Sequence, residues 1–340
     1  MRICQVLAGD EDGGLEKHTI ELSKELKKRN IDVTVIAHEK FKSEFDGIRF
    51  ITFDLTKSRN NIFMLYQLYK ILKNENFDII HSQANKATSI VVKLKMFINS
   101  KIVSTLHSYK KNLAAFYKSD YVISVSNKIA ENLNIKNKTT IYNGIKQVNI
   151  NDIDLYDKYN IPKDKFIICS VGRLSFVKRF DVLISSLKYM NNVHLLLVGE
   201  GKEESKLKKL ANSLSLEKNI TFTGALDNLK AKEIIKNSKL FVITSQKEGF
   251  PYTLIETLYC QTPIVSTDVS DIKDIIGNEF ITKYDDVKSL AFKINDIKND
   301  YEKVNSYFNP IYKESQEKFT TKYMTSKTIS IYKKVLKWIF

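Results

Sequence analysis

The chain has 340 residues, enough for two domains of ordinary size, and its 43% hydrophobic and 11% aromatic content is that of a globular protein. Its three cysteines form no CxxC pair and its five histidines have no zinc-type spacing, so the sequence predicts buried thiols of a reducing compartment and excludes the common Cys/His metal sites. No signal peptide precedes the first apolar run, and no apolar run is long enough to cross a membrane, which predicts a cytoplasmic protein.

The net charge of +15 is concentrated in one part of the chain. Residues 51–150 contain 15 Lys and Arg but only 5 Asp and Glu. This imbalance favours an anionic partner for the first half: a membrane surface, a nucleic acid or a charged substrate. Lysine is also abundant in chains rich in Asn and Ile, and a solvated face explains the excess about equally well.

The first half of the chain alternates strand and helix patterns. The predicted strands are Ile3–Leu7, Asp32–Ala37, Ile48–Phe53, Phe77–His81, Lys101–Leu106, Tyr121–Ser124 and Thr139–Tyr142. The predicted helices are Leu15–Lys28, Ile62–Lys73, Ala87–Ile98 and one that runs from Ser126 to Leu133. This alternation is typical of a parallel, doubly wound sheet, in which ligands bind beyond the carboxyl ends of strands. His81 and His107 both lie at predicted strand ends, so each could face the ligand, although a histidine there is more often a hydrogen-bonding residue than a catalytic one.

A polar segment, 149–165, contains Pro162 and is predicted to link two domains. A second alternating series follows it. Its predicted strands are Phe166–Val171, His194–Val198, Ile220–Thr223, Leu240–Thr244 and Ile264–Thr267, and its predicted helices are Phe180–Leu187, Glu203–Leu214, Lys230–Asn237 and Tyr252–Tyr259. The chain ends in an amphipathic helical pattern, Phe319–Phe340.

The stretch from Leu240 to Thr267 reads as a β-α-β unit whose turn carries Glu248 and whose helix carries Glu256. Pro251 falls where a helix begins, a position that tolerates its missing N–H. Free amides at such a helix N-terminus attract phosphate, so two carboxylates beside them suggest a ligand with phosphate and hydroxyl groups. Acidic residues that merely complement the helix dipole are the alternative.

Several motifs together are more specific than this unit. The segment EGFPYTLIE, a Glu-x7-Glu pattern, resembles the signature of the retaining GT-B glycosyltransferases, in particular family 4. GGLEKHTIELSKEL is similar to the first loop of that family, STLHS and SDYVISVS to its acceptor-domain elements, and SVGRLSFVKRFDVLI to its donor-phosphate strand and loop. The resemblance covers nearly the whole chain.

The resemblance implies a GT-B fold, with two Rossmann-like doubly wound domains that face each other across a cleft. The acceptor domain would be 1–148, with the C-terminal helix 319–340 packing back on it, and the donor domain would be 166–318. One departure is Ser270-Asp271, which stands where family members commonly have a glycine pair whose backbone contacts the sugar.

The resemblance also implies roles for individual residues. Arg173 and Lys178 would neutralise the leaving diphosphate in place of a metal ion. Glu256 would bind the ribose, Glu248 the donor sugar, and His107 the sugar from the opposite domain. The amide of Gly14 would lie near the diphosphate and the acceptor. The predicted substrate-binding set is completed by Gly13, Glu16, His18, Asn143, Gly172, Gly249, Phe250, Pro251, Tyr252, Thr253 and Leu254.

No protein nucleophile, metal or cofactor is predicted, since retention in this family is attributed to same-face attack aided by the leaving phosphate. Two Asp-x-Asp triplets, 10–12 and 152–154, lie outside the donor domain and are interpreted as solvated loop acids.

The sequence therefore predicts a retaining, metal-independent transferase that uses a nucleotide diphosphate sugar, with UDP the expected nucleotide, and a glycan or lipid-linked acceptor in bacterial surface polysaccharide or lipopolysaccharide assembly. A sugar-nucleotide epimerase is one alternative, but it does not explain the Glu-x7-Glu motif. A non-catalytic basic protein that binds membranes or nucleic acid is another, and it leaves the second domain's motifs unexplained.

Residues 86–118 carry lysines beside apolar side chains, which predicts peripheral contact with an anionic membrane. No nucleic-acid partner is predicted. Ile90, Val91 and Val92 alternatively pack under the sheet and leave the lysines as ordinary surface residues.

Overall fold

The computed structural model describes residues 1–10 and 13–337 and divides into two units. One comprises residues 1–146 and the C-terminal segment from Lys318, and the other comprises residues 147–317. The segment predicted as a linker, 149–165, lies in the second unit, where Leu155 and Ile161 are buried. The burial of these two apolar side chains stabilises the packing of the segment on that unit.

The first unit is built on seven parallel strands in the order β3-β2-β1-β4-β5-β6-β7. The strands are β1 (Arg2–Leu7), β2 (Asp32–Ala37), β3 (Arg49–Thr52), β4 (Ile79–Gln83), β5 (Lys101–Leu106), β6 (Tyr121–Ser124) and β7 (Lys138–Thr140). The helices between them are α1 (Gly14–Lys28), α2 (Ile62–Glu75), α3 (Ala84–Val91) and α4 (Asn127–Glu131). The predicted helix 87–98 is thus shorter: its chain tightens after Val91 into a 3-10 turn at Lys95–Phe97.

The second unit has six parallel strands in the order β10-β9-β8-β11-β12-β13. The strands are β8 (Phe166–Val171), β9 (Val193–Val198), β10 (Ile220–Gly224), β11 (Leu240–Ile243), β12 (Ile264–Thr267) and β13 (Ile281–Thr282). The helices are α5 (Leu155–Lys158), α6 (Phe180–Ser186), α7 (Glu204–Ser213), α8 (Asn228–Asn237), α9 (Tyr252–Tyr259), α10 (Ile272–Ile276), α11 (Val287–Asn299) and α12 (Tyr301–Lys318). The doubly wound fold predicted for both halves is confirmed.

The last described helix, α13 (Thr321–Leu336), belongs to the first unit and packs against α1. The chain enters it through a parallel bridge between Ile145 and Thr320. Gly144 permits this approach, because a Cβ there would lie 2.3 Å from the carbonyl oxygen of Thr320. The predicted helix 319–340 extends past the described residues by its last three positions.

The core of the first unit has a layer on each face of its sheet, as the two-residue period of a strand requires. On β1, Ile3 and Leu7 belong to the layer that includes residues of α1 and α13. Cys4 and Val6 belong to the opposite layer, with residues of α2 and α3. All three cysteines of the chain are buried thiols, as predicted.

Strand order places a switch point in each sheet, between β1 and β4 and between β8 and β11, where successive crossovers lie on opposite faces. Loops that leave the carboxyl ends of these strands diverge and open a crevice, which is where open α/β sheets bind ligands. The loop after β8 carries Gly172 to Lys178, and the loop after β11 carries Glu248. The topology therefore brings the two donor motifs of the sequence to one edge of the second sheet.

Candidate donor and acceptor sites

In the second unit, Lys178 and Glu248 form the central ion pair of the candidate donor site. The Nζ of Lys178 lies 2.6 Å from Glu248 Oε1, and both side chains are largely buried. The hydroxyl of Ser245 donates a second hydrogen bond, of 2.8 Å, to the same carboxylate oxygen. A short charge-assisted bond of this kind orients both groups before any ligand arrives.

The backbone around Lys178 is anchored to the loop after β11. The Gln246 amide donates to the Val177 carbonyl at 2.8 Å, and the Thr244 hydroxyl donates to the Lys178 carbonyl at 2.8 Å. Arg173, on the same loop, is exposed. Both predicted phosphate-binding cations thus follow β8, and the position of Lys178 is fixed by contacts that the sequence motif does not reveal.

Glycines let a third loop, which follows β9, pack directly on this segment. Gly199 has φ +135°, and a Cβ there would lie only 2.0 Å from the Gly172 carbonyl oxygen. A Cβ at Gly201 would lie 2.3 Å from the Leu174 carbonyl oxygen. At Gly172 itself, a Cβ would come within 3.3 Å of Lys178 Cε. Gly199 and Gly201 are absent from the predicted site, although two glycines directly after a strand are a signal for close backbone approach.

The helix α9 carries Glu256, whose side chain is buried with 5% exposure. Asn228, at the start of α8, donates to Glu256 Oε1 at 2.8 Å. Asn228 was not predicted, because nothing in its local sequence links it to a residue 28 positions away. The hydrogen bond from Asn228 fixes the orientation of the Glu256 carboxylate, a group that accepts hydrogen bonds.

Some residues between the two glutamates pack in the core, and others take part through their backbone groups. Phe250 and Leu254 are buried, and Pro251 is extended and immediately precedes the first residue of α9, Tyr252. The carbonyl of Thr253 accepts a hydrogen bond from the Thr257 hydroxyl. Phe250 and Leu254 can therefore serve a ligand through backbone groups, while their side chains hold the helix in place.

The turn that contains Gly249 is also joined to the loop after β12. Ser270 has φ +51°, in the left-handed region that favours glycine, and its hydroxyl donates to the Gly249 carbonyl. Asp271 is fully buried. The serine that replaces a commonly found glycine thus keeps a glycine-type backbone and adds a hydrogen bond to the Glu248 turn.

In the first unit, His18 and His107 form the candidate acceptor site. Their rings meet edge to face with centroids 4.7 Å apart. His18 is buried and its Nδ1 lies 3.0 Å from Asn143 Oδ1, so Nδ1 is the protonated nitrogen. His107 is half-buried, and its Nε2 donates to Gln83 Oε1 at 2.8 Å. Gly13 and Gly14 lie at the N-terminus of the helix that carries His18, and Glu16 in its first turn is buried.

Both imidazoles are neutral at pH 7. Burial lowers the pKa of His18 to about 4, although its hydrogen bond to Asn143 opposes that shift. Burial, with the neighbouring His18 and His81 adding to it, lowers the pKa of His107 well below its usual value. These rings therefore act as hydrogen-bonding groups rather than as cations.

Of the two histidines that could face the ligand, His81 does not do so. Strand β4 continues to Gln83, and His81 is fully buried in register with Gln5 of β1. Its Nδ1 lies 2.6 Å from the Tyr332 hydroxyl, and its Nε2 lies 2.6 Å from Thr105 Oγ1. His81 is a structural histidine that joins the sheet to α13.

The polar groups of this region form one chain of hydrogen bonds. Gln83 Nε2 donates to Gln5 Oε1 at 2.8 Å, and Gln5 Nε2 donates to the Tyr332 hydroxyl at 3.1 Å. The half-buried His107 is thereby connected to Tyr332 of the C-terminal helix. Gln5 and Gln83 were not predicted, but polar residues that interrupt apolar strands are a usable signal for such a network.

Of the second Asp-x-Asp triplet, Asp154 is the N-cap of α5 and Asp152 pairs with Lys236. The first triplet lies partly outside the described residues. Across residues 1–10 and 13–337, no group of three or more His, Cys, Asp and Glu side chains is arranged to hold a metal ion. Within the same ranges, no helix is both long enough and apolar enough to span a membrane.

Comparison with known proteins agrees with the division of the chain into two units. The family model for glycosyl transferases group 1 matches residues 151–313, and that for glycosyltransferase family 4 matches residues 12–147. An uncharacterized glycosyltransferase of Methanocaldococcus jannaschii is 30% identical over 270 residues, covering 67% of this chain and 66% of that protein. The O-antigen biosynthesis glycosyltransferase WclY of Escherichia coli is 24% identical over 288 residues, covering 76% of this chain and 79% of that protein.

Among solved structures, Anabaena HepE in complex with UDP-glucose superposes with a TM-score of 0.82, covering 100% of this chain and 99% of that one at 19% identity. Two doubly wound parallel sheets and these matches define a glycosyltransferase of GT-B fold. The chain belongs to the group 1 glycosyl transferases of family 4. Neither the epimerase nor the non-catalytic alternative fits that membership.

Proposed function

We propose that this protein transfers a sugar from a nucleotide diphosphate sugar, with UDP as the nucleotide, to a glycan or lipid-linked acceptor during assembly of a bacterial surface polysaccharide. The observation that carries the proposal is the Lys178–Glu248 pair of 2.6 Å at the switch point of the second sheet, beside the N-terminus of α9. The E. coli relative named for O-antigen biosynthesis and the Anabaena structure with UDP-glucose support the acceptor class and the nucleotide.

The proposed reaction needs positive charge where the diphosphate leaves. As the bond between the anomeric carbon and the phosphate oxygen breaks, negative charge grows on the phosphate. Lys178 and Arg173, both in the loop after β8, are the cations proposed to stabilise that charge. The acceptor oxygen bonds to the same face of the anomeric carbon, and its proton passes to the departing phosphate. This route retains configuration and uses no protein nucleophile, metal or cofactor.

The two glutamates serve different parts of the donor in this proposal. Glu248, on the turn, accepts hydrogen bonds from hydroxyls of the transferred sugar, and Glu256, on α9, accepts them from the ribose. Each carboxylate is held by a neutral donor, Ser245 in one case and Asn228 in the other. Pre-oriented acceptors of this kind cost little ordering entropy when the donor binds.

A thermal-shift panel of UDP-, GDP- and ADP-sugars tests the nucleotide. A ligand that binds only the native state at about 100 times its Kd stabilises it by about 2.7 kcal/mol, so the true donor should raise the melting temperature most. Turnover of that donor is then measured with and without EDTA. No stabilisation by any nucleotide sugar would refute the donor assignment, and loss of turnover in EDTA would refute metal independence.

Attachment to an anionic membrane is the second part of the proposal, because it would bring the enzyme to a lipid-linked acceptor. Ile90 and Val91 of the predicted segment 86–118 are buried and cannot enter lipid. Met96 and Phe97 are 89% and 65% exposed, however, and Phe97 contacts Tyr69 of α2.

The same helix α2 exposes Ile62 by 77% and Phe63 by 81%. The surface formed by α2 and residues 95–97 therefore combines large exposed apolar side chains with the most basic third of the chain. Such a combination suits the headgroup region of an acidic bilayer. The sequence pattern of residues 86–118 alone did not reveal the contribution of α2.

Co-sedimentation with phosphatidylglycerol and with phosphatidylcholine vesicles tests the attachment. The double variant Phe63→Ser/Met96→Ser should lose binding to the acidic vesicles, whereas Phe292→Ser, which removes a phenylalanine of 67% exposure from the second unit, should not. Equal, negligible binding of the wild type to both vesicles would refute the attachment and favour a soluble acceptor.

A further inference from the structure

Arg179, the residue after Lys178, has an unusual backbone for its type. Its φ is +50°, in the left-handed region where a Cβ is crowded and glycine is favoured. It is also the residue that directly precedes α6. An arginine here is less favourable for the backbone than a glycine, so its side chain must compensate.

The Arg179 guanidinium donates hydrogen bonds to three residues and lies over two aromatic rings. Its Nε and Nη2 donate to the Asp181 carboxylate at 3.0 and 2.9 Å. Nη1 donates to the Tyr284 hydroxyl at 2.6 Å, and Nη2 donates to Asp285 Oδ1 at 2.5 Å. The guanidinium also lies over the rings of Phe176 and Tyr284, 5.5 and 5.3 Å from their centroids. Only 11% of the side chain is exposed.

These contacts join two loops that are distant in sequence. Asp285 lies 106 residues from Arg179, in the turn between β13 and α11, and its own φ is +63°. The other end of the segment 172–179 is fixed by Gly172, whose amide donates to the Val198 carbonyl. The segment that carries Lys178 is thus held at both ends, and Arg179 provides the second attachment through charge and geometry that lysine or glycine cannot reproduce.

Tyr284 connects this attachment to the Glu248 side of the site. It lines a cavity of about 310 Å³ with Ser245, Gln246, Thr267 and Asp268. Ser245 is the residue that donates to Glu248. The loop held by Arg179 therefore forms a wall of the space next to the Lys178–Glu248 pair.

We propose that Arg179 is a positioning residue for the diphosphate: its guanidinium holds segment 172–179 against the turn 283–286 and so places Lys178 for transition-state charge. The inference rests on the proposed function. Arg179 touches neither donor nor acceptor in this scheme, and it acts through the placement of its neighbour.

Arg179→Gly is the decisive variant, because it relieves the left-handed backbone while it removes the clamp. We expect kcat/KM for the UDP-sugar to fall about tenfold to a hundredfold, mostly in kcat, as misplacement by about 1 Å does elsewhere. Asp285→Asn weakens the clamp from its other end and should act in the same direction. Asn160→Gly is the matched control, since Asn160 is exposed, has φ +51° in the same unit and should leave kcat/KM unchanged.

Hydrogen exchange of the ligand-free protein gives a readout that does not require activity. In Arg179→Gly, peptides covering 172–180 and 281–288 should exchange faster than in the wild type, while the rest of the unit keeps its protection. Unchanged exchange, or faster exchange with unchanged kcat/KM, would overturn the positioning role. If the wild type neither binds UDP nor turns over a nucleotide sugar, the proposed function is refuted, and the catalytic positioning role of Arg179 is refuted with it. This holds even if hydrogen exchange shows that Arg179 protects the two segments.

Discussion

Tyr332 gives the sharpest test of how the C-terminal helix supports the first unit. Its side chain is fully buried, its hydroxyl accepts from Gln5 Nε2 at 3.1 Å, and it lies 2.6 Å from His81 Nδ1. In the tautomer protonated at Nε2, His81 donates to Thr105 Oγ1 and its Nδ1 accepts the proton of the Tyr332 hydroxyl. Tyr332→Phe keeps the ring and removes both bonds.

The expected loss of stability depends on the two buried polar groups that lose their partner when the hydroxyl is removed. Each buried donor or acceptor without a partner costs about 1–3 kcal/mol, which would give up to about 6 kcal/mol for two. Gln5 Nε2 and His81 Nδ1 lie 3.5 Å apart, however, so after the hydroxyl is removed they can move together and pair. We therefore expect a loss of about 2 kcal/mol in the free energy of unfolding of the first unit.

Urea unfolding followed by far-UV circular dichroism measures this loss, with two transitions fitted because two units can unfold separately. Tyr323→Phe is the control, since Tyr323 lies on the same helix with 40% exposure and should change stability by less than about 0.5 kcal/mol. A Tyr332→Phe protein as stable as this control would show that the buried network contributes nothing to stability.

Three further predictions concern the two candidate sites and the buried histidines of the first unit. Lys178→Ala should lower kcat/KM by on the order of 10²-fold, because it removes a charge-assisted contact that strengthens as the diphosphate leaves; unchanged steady-state kinetics would contradict the phosphate role. Glu256→Ala should weaken the binding of free UDP, while Glu248→Ala should mainly lower kcat. Equal losses of UDP affinity in calorimetric titrations of the two variants would contradict separate roles for the two glutamates. Stability should fall between pH 7 and pH 5, because burial lowers the folded-state pKa of His18 to about 4 and of His81 to about 3, so the unfolded chain binds protons below about pH 6.5 that the folded chain excludes. Each histidine then contributes up to about 1.4 kcal/mol per pH unit in urea titrations, and a pH-independent free energy over this range would exclude the neutral buried state.

Local signals explain why the region from Leu240 to Thr267 is predictable from sequence. An apolar run, a polar turn and Pro251 at the helix start each act within a few residues, and α9 and β12 have the predicted bounds. The predicted strand end at His81 is wrong for the complementary reason. The residues after it, Ser82 and Gln83, resemble a loop by composition, yet they continue the strand because their polar side chains find buried partners.

Long-range polar contacts are what the sequence could not provide. Tyr332 meets His81 across 251 positions, and Arg179 meets Asp285 across 106. Neither pair has a periodicity or a local motif, since hydrogen bonds between distant elements depend on packing that only the assembled sheet defines. The motif residues were identifiable, but the residues that hold them in place were not.

The candidate sites of the two units differ in the charge that they can offer a ligand. His18 and His107 are neutral at pH 7, because burial disfavours their protonated forms, and a neutral imidazole offers hydrogen bonds but no net charge. Lys178 lies in a pair with Glu248, where a bound diphosphate would compete with the carboxylate for the same cation. We therefore infer that the second unit supplies the electrostatic stabilisation of the leaving group, whereas the first unit recognises uncharged hydroxyls. A variant that protonates at pH 7 in place of His107, such as His107→Lys, would then impair turnover as strongly as His107→Ala despite its added positive charge.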